Sequence, residues 1–551
     1  MTPSSSAGSG SDVLQQDREQ STAHSGAQLS PDERSGTRAR AWVERRLTGP
    51  YRIVASTALG VILLAVLGAV MGPQWDPVPL TDPITVGSTS TAITGAPALS
   101  SYPVKVERVT VQLDGTTVRA KITIPVGAPG PVPGVVFVHG AGTGSSETAF
   151  REQTEALAKA GVATMVPDKR LDTYSARHRD YVAMAADYLR SVHLLQAHAG
   201  VDPKRVGVYG ESEGAWIAPV MAASDPDLAF VVLASAPVVP PREQAAFAAD
   251  NYLRNTNVPR GVFRAIPRAV GMALPGGGFE YADFDVTPYQ RKMTQPVLMV
   301  YGTGDSSMPI VQGAEQVLRD TAIAGNGKVT VRYYAGANHG LKVDDVMPAS
   351  FLADLGGWVQ GLPATAHAAP GIAGDQPTQE FLAAPVPQPS WLRSGDVVIG
   401  TVVVAGALLV LPLLLVPGAR GFEAVRARRG RQSAVTHRLP RGLPARMFVC
   451  ALGAVLTVVG LGCYLVAIAR LAVDYEQNDW VVTGGWAGVR LLGIAAVVAV
   501  VVLLQKEREA LALAGRSAQG TVRVVAFGSV VVGSSVLLVV MAYWGVFQLG
   551  I

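Results

Sequence analysis

Ser212 stands in the run Gly210-Glu211-Ser212-Glu213-Gly214. A serine hydroxyl is a weak nucleophile until a base removes its proton and the backbone presents it. The G-x-S-x-G pattern does the presenting. A strand turns sharply into a helix, and crowding at the turn calls for glycine two residues to either side. Such a turn also sets the serine beside a helix N-terminus, whose N–H groups favour developing negative charge. The rest of a serine triad should follow in the order acid, then histidine. Asp305, in Gly302-Thr303-Gly304-Asp305, and His339, in Asn338-His339-Gly340, meet that order. Of the eight histidines, only His339 follows both Ser212 and Asp305 at the end of a predicted strand. Two backbone donors must hold the oxygen of a tetrahedral intermediate. One is the N–H of Glu213. The other is expected from His139-Gly140-Ala141-Gly142, with Ala141 the first choice and Gly142 the second. That loop also suits a plain tight turn.

The elements that must position these residues are short β-branched runs at 133–138, 162–166, 205–209, 230–233, 296–301 and 329–333. Amphipathic or small-residue segments at 146–160, 181–197 and 215–223 read as helices between them. Strands alternating with helices imply a doubly wound, mostly parallel sheet with helices on both faces. Residues 237–295 are too long for a plain crossover and predict a helical cap. Its Phe263, Ile266, Val270, Met272, Leu274 and Phe279 suit the cap's own core or an acyl pocket. Residues 276–278, three glycines, suit a flexible turn or a hinge. Asp168, Lys169 and Arg170 sit at the carboxyl end of a strand, where sites are built, and read first as an ion-pair network. Glu211 and Glu213 flank the serine, either to exclude anionic substrates or to pair with a base.

Residues 106–362 resemble bacterial α/β-hydrolases of the esterase and prolyl-oligopeptidase-related type. The carriers are VVFVHGAG, PDKR, RVGVYGESEGAWIAP, VLMVYGTGD and ANHG. GESEGAWIAP is the specific one; the others are generic singly. Ala215 departs from the pattern, where such proteins often carry a further glycine. The resemblance implies Ser212 as nucleophile, Asp305 as acid and His339 as base, the same three residues the spacing picks.

The chain has 551 residues, too many for one domain. Hydrophobic residues make up 49% and charged ones only 16%, against about 25% charged in an average soluble protein. Such a chain is partly embedded in lipid. No basic run interleaved with aromatics is present, which argues against nucleic acid as a partner. Cys450 and Cys463 lie in one apolar stretch and offer neither a disulfide framework nor a zinc site. No metal or cofactor is expected.

Residues 1–36 are polar and predicted to be disordered, within a cytoplasmic tail at 1–50. An uncleaved anchor is expected at 53–71, rather than a signal peptide, because the polar region before it is long and no clean cleavage site follows. Linkers are predicted at 73–105 and 363–393. Four more spans are predicted at 397–416, 447–468, 480–504 and 524–549. Arginines gather before the first span and between spans two and three, including Arg420, Arg426, Arg428, Arg431 and Arg438. Lys506, Arg508, Arg516 and Arg523 lie between spans four and five. Asp474, Glu476 and Asp479 outnumber Arg470 between spans three and four. The positive-inside rule then puts the N-terminus and basic loops in the cytoplasm and residues 73–395 outside. Arg490 lies inside a span and is expected to snorkel or to pair with Asp479 or Asp474. Gly484 with Gly488, and Ser529 with Gly533, predict helix packing.

These readings converge on a five-span cell-membrane protein with an extracytoplasmic serine hydrolase domain acting on small-molecule or lipid acyl esters. The bilayer is one partner, and the C-terminal spans could hold a membrane-protein partner. A peptidase or thioesterase with the same triad remains an alternative. So do a non-catalytic membrane sensor with a hydrolase-like domain and a transporter carrying an accessory hydrolase.

Overall fold

The structure is a computed structural model and describes residues 31–142, 144–430, 439–474, 476–514 and 520–549. The expected features at residues 1–30 and at Arg431, Arg438 and Arg516 lie outside them. The chain divides after Ala58, and the sheet and the C-terminal apolar helices belong together in Leu59–Ile551.

Among the described residues a nine-stranded sheet forms from β1 (Val104–Gln112), β2 (Thr117–Pro125), β3 (Val132–Val138), β4 (Ala163–Pro167), β5 (Val201–Glu211), β6 (Val231–Ala234), β7 (Val297–Gly302), β8 (Val329–Tyr334) and β9 (Ile372–Gly374). Their order is β1-β2-β4-β3-β5-β6-β7-β8-β9. The pairs β1–β2 and β2–β4 are antiparallel and the rest parallel. This is the α/β-hydrolase arrangement. Every residue of β3, β4, β6, β7 and β8 is buried. Continuous burial is what a parallel strand covered by helices on both faces requires, and it explains why these runs read as unbroken β-branched stretches. One core lies under the helices Tyr181–Gln196 and Gly214–Ser224. The other lies under Arg151–Lys159 and Ala349–Gly361.

The sequence reading needs three corrections here. The segment 363–393 is not a free linker, because β9 lies inside it and extends the sheet. The segment 73–105 is bound to it: Leu80 N–H donates to Glu380 O (2.8 Å), Gly87 N–H to Ile372 O (2.9 Å) and Gly374 N–H to Ser88 O (2.8 Å). Backbone pairing at a sheet edge needs no side-chain periodicity, so Pro- and Ala-rich sequence hides it. The expected tail at 1–50 ends in helix, since Pro31–Met71 is one helix. A proline is tolerated in the first turn, and Asp32 and Glu33 suit a helix start.

Among the described residues five helices are long and apolar enough to cross a membrane: Pro50–Met71, Gly395–Arg428, Leu443–Ala472, Trp480–Ala512 and Thr521–Tyr543. Gly533 packs on the second of these, where a β-carbon would meet Ala405 O at 2.8 Å. The expected Gly484/Gly488 contact is absent, as a β-carbon on Gly488 would meet nothing within 4 Å. Arg490 Nη2 donates to Gln548 O (2.6 Å), at the end of the fifth apolar segment.

The cap between β6 and β7 contains helices Pro241–Asn255, Arg260–Phe263, Ala265–Val270 and Thr287–Gln290. Its outer side docks on the apolar helices. Tyr252 Oη donates to Glu476 O (3.1 Å), Arg268 Nη2 donates to Gly68 O (2.9 Å), and Gly261 lies against the Trp486 ring. Ile266 is buried there, whereas Phe279 is exposed. Gly276, Gly277 and Gly278 all have positive φ (74°, 103°, 80°), backbone that other residues rarely adopt. This turn is tied down, because Gly276 N–H donates to Asp396 (3.1 Å) at the start of the second apolar helix.

Candidate active site

Strand β5 ends at Glu211, and the helix Gly214–Ser224 begins three residues later. Ser212 between them has φ 54°, left-handed backbone in a non-glycine residue, which costs about 1–3 kcal/mol unless the surroundings hold it. Ser212 N–H donates to Ala234 O (3.0 Å) and Ala215 N–H to Ser212 O (2.9 Å). The flanking glycines are steric necessities. A β-carbon on Gly210 would stand 2.5 Å from Gly214 O, and one on Gly214 would stand 2.3 Å from Val138 O. The turn therefore thrusts the Ser212 side chain out beyond the carboxyl ends of the strands.

Asp305 follows β7 and His339 follows β8. The two loops are sewn together by Gly304 N–H to Ala337 O (3.0 Å) and Thr303 N–H to Tyr334 O (3.0 Å). Ser235 Oγ donates to His339 O (2.7 Å) and fixes the histidine backbone. The result is a hydrogen-bonded row. His339 Nδ1 lies 2.8 Å from Asp305 Oδ2, and His339 Nε2 lies 3.0 Å from Ser212 Oγ. The Asp305 carboxylate is buried, and its Oδ1 accepts from Ser307 N–H (2.9 Å) and Met308 N–H (3.3 Å). Burial favours neutral His339. The Asp305 hydrogen bond and charge, with the Glu211 charge, outweigh it and hold the imidazole above its ordinary value.

Behind Ser212 lies a buried ionic cluster that joins Lys169 and Glu213, both singled out in the sequence, to Tyr174 and Arg179, which were not. The Glu213 carboxylate receives Lys169 Nζ (2.9 Å), Tyr174 Oη (3.0 Å) and Arg179 Nη1 (2.6 Å). Lys169 and Glu213 side chains are each only 1% exposed. Lys169 Nζ also donates to Gly140 O. One ammonium therefore links the two segments expected to hold an oxyanion, the residue after the serine and the loop after β3. Burial lowers the Lys169 pKa, against the pull of Glu213. Tyr174 Oη accepts from Gly142 N–H (3.2 Å). The N–H of the second-choice oxyanion donor is thus engaged by a tyrosine hydroxyl.

The other singled-out residues divide. Asp168 accepts from Ser146 N–H (2.7 Å) and Arg119 (3.0 Å), and Arg170 binds Asp172 (2.8 Å). Both serve the scaffold. Glu211 is held by Tyr209 Oη (3.2 Å), and burial raises its pKa. His139 is buried against Pro167 O (2.7 Å), and burial lowers it to about 4, so it stays neutral. Position 169 carried a signal, a cation at a strand's carboxyl end. Tyr174 and Arg179 come from an aperiodic loop and carried none. Among the described residues no cluster of three or more His, Cys, Asp or Glu side chains is placed to hold a metal ion.

Similar solved structures include a hyperthermophilic esterase from the archaeon Pyrobaculum calidifontis, 20% identical, covering 48% of this chain and 85% of that one, with TM-score 0.36. Est1E from Butyrivibrio proteoclasticus is 17% identical over 47% of this chain and 98% of its own, with TM-score 0.33. A fungal esterase from Rhizomucor miehei is 18% identical over 48% and 86%, with TM-score 0.36. No curated protein sequence matches the chain. Residues 148–362, less than half of the chain, match the model of the prolyl oligopeptidase family, which together with the fold supports a serine hydrolase of the prolyl-oligopeptidase and esterase superfamily.

Proposed function

We propose that this protein is a membrane-anchored, extracytoplasmic serine hydrolase that cleaves carboxylic acyl esters through an acyl-enzyme. The observation that carries the reading is the row Asp305–His339–Ser212, at 2.8 and 3.0 Å. His339 Nε2 takes the Ser212 proton as Oγ attacks the ester carbonyl. Asp305 holds the Nδ1–H tautomer and stabilises the imidazolium. The N–H groups of Glu213 and Ala141 receive the oxyanion. His339 then protonates the leaving alcohol, and water activated by the same nitrogen releases the acid. The lysine and arginine distribution supports a domain outside the membrane and an N-terminus in the cytoplasm.

The family match favours a second reading, a peptidase with the same three residues. Intact cells treated with a membrane-impermeant fluorophosphonate test the main reading. Labelling that Ser212→Ala abolishes is expected, followed by turnover of short acyl esters faster than of peptide anilides. Labelling only after lysis would invert the topology. No labelling in either state would sink the enzyme reading, and faster anilide turnover would favour the peptidase.

A further inference from the structure

The outer side of the cap carries Arg260, Arg264 and Arg268, four residues apart. That spacing aligns side chains along one face of a helix. Arg264 keeps helical angles (φ −63°, ψ −19°) between the helices Arg260–Phe263 and Ala265–Val270. Nearby Arg254 shows how a guanidinium is ordinarily satisfied here: it grips Asp250 through Nε (2.6 Å) and Nη2 (3.2 Å). The three arginines of the row differ. Among the described residues none of them has a carboxylate partner. Arg268 is fully buried, with Nη2 on Gly68 O and its guanidinium over the Tyr543 ring (4.9 Å), and among the described residues its Nε and Nη1 have no hydrogen-bond partner. Burial alone acts on Arg264 and lowers its pKa, with no anion close enough to oppose it.

A cavity of about 910 Å³ opens beside this row. Trp75, Arg254, Arg260, Phe263, Arg264 and Thr483 line it. It therefore lies between the segment leaving the first apolar helix, the cap, and the start of the fourth apolar helix. Asp250 faces it too but is taken by Arg254; Asp76 is a single carboxylate against two unpaired guanidiniums. Trp480, 88% exposed at the head of the fourth helix, marks the same level, and tryptophan favours the headgroup zone of a bilayer. A partly buried guanidinium without a counter-charge is costly. An anion drawn from outside the chain removes that cost, and basic pockets between membrane helices take lipid phosphates.

We propose that this cavity binds the phosphate of an anionic phospholipid headgroup, with Arg260 and Arg264 as its direct ligands and Arg268 as a buried positive charge behind them. The inference rests on the membrane reading of the five helices and is independent of ester chemistry. The planar guanidiniums offer paired N–H donors to phosphate oxygens, and the acyl chains lie along the apolar helices below.

The test is native mass spectrometry of the full chain in nonionic detergent, titrated with phosphatidylglycerol or with phosphatidylcholine of the same acyl chains. Wild type is expected to bind the anionic lipid about tenfold more tightly, the worth of one charge-assisted hydrogen bond. R260Q/R264Q should lose that preference, while R260K/R264K should keep most of it because the charge remains. Equal binding of both lipids by wild type would overturn the proposal and needs no variant. So would a preference that survives in R260Q/R264Q eluting and melting as wild type does. Inorganic phosphate that strips phosphatidylglycerol from wild type would overturn the lipid assignment and leave a soluble anion site. A chain that stays monodisperse without detergent would instead sink the membrane reading.

Discussion

The cap helix Pro241–Asn255 separates two regions that treat charge in opposite ways. On the sheet side, Gln244 donates to Ser307 O and Asn251 to Ser306 O, bracing the loop that carries Asp305. The carboxylates of Asp305 and Glu213 near Ser212 have their partners: Asp305 has His339 and two N–H groups, and Glu213 has Lys169 and Arg179. On the membrane-helix side, Arg264 and Arg268 are withdrawn from water with no carboxylate. Stripping one partner from a buried ion pair costs roughly 3–5 kcal/mol, so a fold tolerates such a state only where something else completes it. The first region is closed, with its Asp305 and Glu213 carboxylates partnered within this chain. The second leaves Arg264 and Arg268 without a carboxylate among the described residues.

The hardest test of the closed region is removal of its centre. His339→Ala should lower kcat/KM for a short acyl ester on the order of 10⁵-fold, because base and acid functions vanish together. Asp305→Asn should cost about 10⁴-fold, through the wrong histidine tautomer rather than lost geometry. Steady-state ester hydrolysis checks both. A loss under tenfold for Asp305→Asn would remove Asp305 from the row.

Lys169→Met sharpens the comparison one layer out. Lys169 touches no reacting atom, yet it ties Gly140 O to the Glu213 carboxylate across both halves of the proposed oxyanion site. We expect kcat to fall about 100-fold, as when one oxyanion donor is misplaced, with KM changed less than about twofold. A transition-state analogue such as an alkyl boronic acid should lose affinity in step with kcat. If kcat, KM and melting temperature decline together while analogue affinity holds, Lys169 serves folding alone.

The two regions also differed in how far the sequence revealed them. Ser212, Asp305 and His339 each follow a buried β-branched strand, so a short motif and a strand end located all three. The five apolar helices were legible because lipid crossing imposes composition over some twenty residues. The cap's docking left no such trace. Gly261 against Trp486, or Arg268 on Gly68 O, joins residues hundreds of positions apart without periodicity. Arg264 gave no sign of lacking a partner, since a surface ion pair reads the same in one dimension. Strand β9 was hidden because an edge strand of three residues pairs through its backbone alone. The hydrogen bond from Gly142 N–H to the Tyr174 hydroxyl was hidden because nothing in the sequence brings those two segments together.

The smallest expected effect concerns pH. His339 sits above its ordinary value, since the bond to Asp305 and the charges of Asp305 and Glu211 outweigh burial. A raised value keeps the imidazolium to higher pH, while catalysis needs the neutral base. The acid limb of kcat/KM should therefore lie above about 6.5, the usual histidine value. Stability runs the other way. The His339–Asp305 contribution is full below the unfolded histidine value and is lost as pH rises through the folded one. Glu211→Gln keeps an acceptor for Tyr209 Oη but removes one anion near the ring. Its acid limb should move to lower pH, with the plateau rate little altered, in a pH series on one ester. A limb that stays put would mean that Glu211, raised by burial, is already protonated where His339 titrates. Asp305 alone would then set the histidine, and the closed region would hold one anion fewer than its geometry suggests.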